Sequence, residues 1–67
     1  MFPAILKEVR EKKDLTQQEL AEKINKDRST VSNYETGDSK PTIYVLSDIA
    51  TALGVSTDYL LGRVEVN

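Results

Sequence analysis

The chain has no cysteine, no histidine and no tryptophan among its 67 residues. Missing thiols and imidazoles rule out disulfide staples and the usual zinc sites, and remove the side chain that most often serves as a general base. Its carboxylates are scattered among lysines, and its serines and threonines are taken up by helix caps and one polar face. No enzyme activity, cofactor or metal is therefore expected. No apolar run approaches the ~18 residues of a membrane span, and Met1-Phe2-Pro3 lacks the basic start and apolar stretch of a signal peptide. A soluble cytoplasmic chain without membrane contact is expected. Only two prolines and three glycines interrupt the sequence, and each falls at an expected helix start, loop or helix stop.

Sixty-seven residues suffice for one domain, close to the lower limit for folding on a single core. With no covalent or metal staple, helix packing has to supply a net stability of about 3–5 kcal/mol.

The formal charge is −2 with a pI near 5.0, a balance that by itself disfavours a polyanionic partner. The distribution is less adverse. Residues 1–22 carry four positive and five negative side chains, residues 23–40 four and three, and residues 41–67 one and three. Only the middle segment is net positive, by one. Any non-specific affinity for nucleic acid should be modest and quickly lost with salt.

Five short helices and no strand are predicted. Pro3 suits the first turn of a first helix, where its missing N–H would be unpaired anyway. Ile5, Leu6 and Val9 give that helix an apolar stripe, Phe2 can pack back on the same core, and the helix fades at Lys12-Lys13-Asp14. Thr16 and Glu19 have the three-residue spacing of a capping box at the start of a second helix, with Leu20, Ala21 and Ile24 facing inward. Asn25 tolerates the left-handed conformation of a sharp exit. Asp27 is placed to cap a third helix, which should run to about Thr36 and stop at Gly37. Asp38 to Pro41 form a loop. Thr42 caps a fourth helix with Ile43, Leu46, Ile49, Ala50 and Leu53 on one face and Gly54 as its stop. Tyr44 and Val45 lie off that stripe, where partial packing is expected. Ser56 caps a last short helix containing Tyr59, Leu60 and Leu61, and residues 63–67 form a tail beyond a domain of residues 1–62.

The third helix thus has an apolar inner side and an outer side of Arg28, Ser29, Thr30, Ser32 and Asn33, groups that reach base edges and phosphates in a DNA groove. Two capped helices joined by a tight polar turn make a helix-turn-helix. The motifs Leu-Thr-Gln-x-x-Leu-Ala (15–21), Ser-Thr-Val-Ser-x-Tyr-Glu-x-Gly (29–37), Pro-Thr-Ile (41–43) and Ile-Ala-x-Ala-Leu-Gly-Val-Ser-x-x-x-Leu-Leu (49–61) resemble the phage-repressor/Cro-type helix-turn-helix family, the XRE family. The likeness runs from about Phe2 to Gly62.

That resemblance implies an all-α, lambda-repressor-like fold and sequence-specific binding of double-stranded DNA by a transcriptional regulator, expected to be a repressor. It implies that Gln17 bonds a phosphate and braces the third helix, that Arg28 and Ser29 contact base edges, and that Thr30, Ser32 and Asn33 reach bases or the flanking backbone. Thr16, Lys40 and Thr42 would meet the sugar-phosphate chain. Arg10 and Glu35 would form an internal ion pair. Tyr59 and Leu61 either finish the edge of the core or, as the resemblance implies, join two copies into a homodimer on a near-palindromic operator. Tyr34 is expected to span core and surface, with its hydroxyl near bound DNA as a secondary option.

Two positions depart from the family pattern. Lys26 stands where the turn is usually apolar, so it either lays its stem there with the charge in water or reaches a phosphate. Asp27 is an acid beside the proposed groove, where it repels phosphate; capping is the reason expected for it. Arg28 taken alone would be a plain solvated charge, but beside Ser29, Thr30, Ser32 and Asn33, with Gln17 adjacent, a base contact is the expected role. For Lys40 a phosphate contact and a solvated loop lysine both stay open. An antitoxin or other protein-interaction module of the same fold, with a partner protein and weak or no DNA binding, is the alternative function.

Overall fold

The computed structural model describes residues 1–63, and the remaining part of the expected tail, residues 64–67, lies outside the described residues. Five helices follow in order: α1 Phe2–Lys12, α2 Gln17–Lys23, α3 Arg28–Thr36, α4 Ile43–Leu53 and α5 Thr57–Leu60. None is long and apolar enough to cross a membrane.

Local chemistry sets most of the boundaries. α1 begins one residue earlier than the proline suggests, with Pro3 in its first turn and the Ile5 N–H donating to the Met1 carbonyl at 3.1 Å. Its exit is made by Asp14, a non-glycine residue at φ 58°. The sequence had placed Asp14 only in a fading helix end. Asn25, at φ 59°, reverses the chain between α2 and α3, and the Lys26 N–H then reaches back to the Ala21 carbonyl at 2.8 Å. Asp and Asn are the non-glycine residues that best bear this conformation. The capping box of α2 is complete: the Glu19 N–H donates to Thr16 Oγ1 at 3.0 Å, and the Thr16 N–H donates to Glu19 Oε1 at 2.8 Å. Gly37 ends α3 at φ 87°, where a side chain would be strained.

α3 packs on α2 and α1, α4 on α2 and α5, and α5 returns to α1. Leu6, Leu20, Val31, Ile49, Leu53 and Leu60 are fully buried where these helices meet, each worth about 1.5–3 kcal/mol in transfer alone. Every buried side-chain polar atom among the described residues has a hydrogen-bond partner.

Three sequence expectations are corrected. Ile43 does not join the inner face of α4 but is 74% exposed, and Tyr44, expected to pack partly, is 78% exposed. Burial deepens along α4 from Ile43 through half-buried Leu46 to Ile49. The first turn therefore projects past the helices that cover the rest, and correct periodicity meets no facing surface. Asp27 occupies the N-cap of α3 with extended backbone, yet its side chain makes no capping bond. Tyr34, expected to span core and surface, packs in the core with 7% of its surface exposed, and it needs no correction.

Leu60 is the only fully buried residue of the four in α5, so it anchors that helix to the rest. Leu60→Ala should cost about 2–5 kcal/mol, read as a lower midpoint in urea denaturation. A midpoint within error of wild type would show that the site collapses around the smaller side chain.

Candidate nucleic-acid interface

The site rests on a buried ion pair. Arg10 Nε donates to Glu35 Oε2 at 2.6 Å and Arg10 Nη2 to Glu35 Oε1 at 3.1 Å, with the two side chains 9% and 3% exposed. Arg10 Nη1 donates to the Leu15 carbonyl at 2.6 Å, tying the same guanidinium to the segment that leads into α2. This fork-to-fork geometry satisfies both charges, as burial demands. The hydrogen bond to Glu35 raises the Arg10 pKa above the usual arginine value, against the opposing effect of burial. A base whose pKa rises on folding contributes stability that is whole below its unfolded value and is lost only as pH climbs through the folded one. For arginine that window is strongly alkaline, so the contribution is intact at neutral pH.

From this pair a chain of bonds leads outward. Gln17 Nε2 donates to Glu35 Oε1 at 3.0 Å, which turns the amide oxygen of Gln17 toward solvent. Arg28 Nη1 approaches that oxygen at 3.5 Å, a long and exposed contact. Arg10, Glu35, Gln17 and Arg28 thus connect the inside of α1 to the first residue of α3. Sequence spacing gave no sign of the Leu15 and Gln17 bonds, since their partners are brought together only by tertiary packing.

Around this line the remaining candidate residues fall on one side of α3 and at the ends of its neighbours. Arg28, Ser29 and Asn33 are exposed, Thr30 and Ser32 are half-buried, and Val31 and Tyr34 face inward. Lys26 and Lys40 are exposed on either side of the helix in sequence, so the apolar filler role is not taken up by burial of Lys26. Thr16 and Thr42 are exposed as well, and each hydroxyl oxygen accepts a helix amide, from Glu19 and from Val45 at 3.2 Å. Accepting leaves the hydroxyl hydrogen free to donate outward. Tyr59 is half-buried, and Leu61, 41% exposed, lines a groove of about 530 Å³ with Phe2, Pro3, Lys40 and Leu46.

Residues 6–60 match the model of the helix-turn-helix family, and the chain belongs to that family. It is 45% identical over 62 residues to the HTH-type transcriptional regulator ImmR of Bacillus subtilis, covering 92% of this chain and 49% of that protein. Multiprotein-bridging factor 1 of Candida albicans is 38% identical over 50 residues, covering 75% of this chain and 33% of that protein. The chain spans about half the length, or less, of these curated relatives. Among solved structures, the master regulator for biofilm formation SinR, in complex with DNA, superposes with a TM-score of 0.85 at 32% identity, over 91% of this chain and 98% of that one. The P22 c2 repressor, in complex with a synthetic operator, gives a TM-score of 0.90 over 96% and 97% of the two chains. At 23% identity it speaks for the fold alone.

Removing one side of the buried pair strands the other charge, at about 3–5 kcal/mol, which equals the whole stability expected at this size. Glu35→Ala should therefore leave the domain largely unfolded at 25 °C, seen as lost helical circular dichroism. An unchanged melting temperature would mean the pair contributes nothing.

Proposed function

We propose that the chain is a sequence-specific double-stranded DNA-binding transcription regulator, acting as a repressor in the cytoplasm, with residues 1–62 as its DNA-binding domain. The observation that carries this reading is the outer face of α3: Arg28, Ser29 and Asn33 are exposed together while Val31 and Tyr34 anchor the helix from behind. Such a helix enters the major groove with its N-terminal residues at the base edges. Arg28 would bond guanine O6 and N7, the commonest specific arginine contact. Ser29, Asn33 and the half-buried Thr30 and Ser32 would reach bases or flanking backbone. Gln17, through its second amide N–H, and Thr16, Lys26, Lys40 and Thr42 would hold phosphates. Tyr34, mostly taken up by the core, would add at most its hydroxyl to the flanking backbone.

Two copies on a near-palindromic operator would set two α3 helices about one DNA turn apart. Leu61 would carry the joint, because it is exposed at the rim of an apolar groove, whereas Tyr59 is partly taken up by the core.

A second reading, a protein-interaction module of the same fold such as an antitoxin, is favoured by the pI near 5.0 and by the match to a protein named as a bridging factor. It requires that duplex DNA enrich no sequence.

Selection from a random duplex pool should yield a preferred site. Arg28→Ala should weaken binding to it by about 1–3 kcal/mol and relax preference at one base pair, whereas Lys40→Ala should weaken all sequences alike and reduce the salt slope by about one. Wild-type selectivity in Arg28→Ala would remove the base contact. For the dimer, sedimentation on a duplex carrying the full site should give two copies per duplex, reduced to one by Leu61→Asp. One copy in both cases would remove the pairing.

A further inference from the structure

Four helices begin at residues whose side chains offer a capping oxygen: Thr16, Asp27, Thr42 and Ser56. Three of them use it. The amides of Glu19, Val45 and Tyr59 donate to Thr16, Thr42 and Ser56 at 3.0, 3.2 and 3.0 Å. Asp27 does not, although its backbone, at φ −83° and ψ 154°, is as extended as theirs. Among the described residues its carboxylate also has no ion pair, even with Lys26 and Arg28 as sequence neighbours. The residue is exposed at the end of α3 where Arg28 emerges. A free acid at that end repels phosphate, and no capping bond takes up its oxygens.

The chemistry of base edges offers those oxygens a partner. A carboxylate only accepts hydrogen bonds. In the major groove guanine offers only acceptors and thymine offers an acceptor and a methyl group, so both turn a carboxylate away. Adenine sets its amino donor beside the N7 acceptor. Cytosine N4 presents a donor alone, and it is the usual partner of an acidic side chain. We propose that Asp27 is a specificity-determining residue that accepts from cytosine N4 next to the base pair contacted by Arg28, and that its charge excludes guanine and thymine there. The inference rests on the DNA-reading function proposed above. The two adjacent residues then make opposite demands, Arg28 for acceptors and Asp27 for a donor.

Asp27→Ser and Asp27→Asn test it, since both replacements are good capping residues and should leave the fold intact. Thermal melts of both should be at or above wild type, since either side chain can supply the capping bond that Asp27 does not make. In selection from a random duplex pool, wild type should enrich a cytosine beside the guanine attributed to Arg28. Asp27→Ser should lower the preference for that cytosine by roughly fivefold or more, the lower end of what one good base contact is worth. Asp27→Asn should move the preference toward adenine, whose N6 and N7 pair with an amide side chain. If wild type enriches a site and both variants enrich it unchanged, the role of Asp27 is overturned while the regulator reading stands. If wild type enriches no sequence, the regulator reading fails and takes this role with it.

Discussion

One carboxylate holds the working parts of this domain in register. Glu35 receives two N–H groups from Arg10 and one from Gln17, so a single buried side chain of α3 fixes its distance from α1 and from the start of α2. A buried ion pair is weak support for stability in general, because desolvation cancels much of the attraction. Here its value lies in direction. Apolar contacts such as Val31 against the other buried side chains resist separation of the helices but tolerate small rotations, whereas the forked pair does not. Rotation of α3 about its own axis is the motion that would turn Arg28, Ser29 and Asn33 away from a common surface.

The same carboxylate decides which end of the Gln17 amide faces outward. Because Nε2 donates inward, the oxygen is left toward Arg28. At 3.5 Å the last contact is weak, and its effect is to bias a flexible guanidinium rather than to lock it. A side chain partly ordered before binding loses less rotamer freedom on contact. The residue that orders it, Glu35, never reaches the surface itself, with a side chain only 3% exposed.

What could be read in the sequence was whatever is local. Thr16 with Glu19, Asn25, Gly37, Thr42 and Ser56 each act within a few residues of themselves, and the helices begin and end where those residues said they would. The Arg10–Glu35 pair, 25 residues apart, came only from the family resemblance, since no spacing rule reaches that far. Ile43 misled because helical periodicity gives the angle of a side chain and not the existence of a neighbour at that height along the helix. Asp27 misled differently: the position was right and the bond was absent. The net charge of −2 was the least informative quantity, since the face that matters is a small part of the surface.

An acidic domain that reads DNA would have to rely on contacts rather than on charge. A strongly basic protein gains most of its affinity from released counterions and then discriminates among sequences it already holds. With four positive side chains across residues 23–40, three of them lysines, and three negative ones interspersed, that sequence-independent share would be small here. On the proposed function, one copy of α3 would have a single charged donor to the bases, Arg28, whose best pairing is worth about 1–3 kcal/mol of discrimination. Specific and non-specific binding usually differ by about 4–10 kcal/mol. Hydroxyl and amide groups on one nine-residue helix do not comfortably span that gap. Two copies held together double the set of base contacts and make the second engagement intramolecular. On the proposed function, pairing of the domain is therefore less an embellishment of DNA recognition than a condition for it, and the exposed Leu61 beside an apolar groove is where the fold leaves room for it.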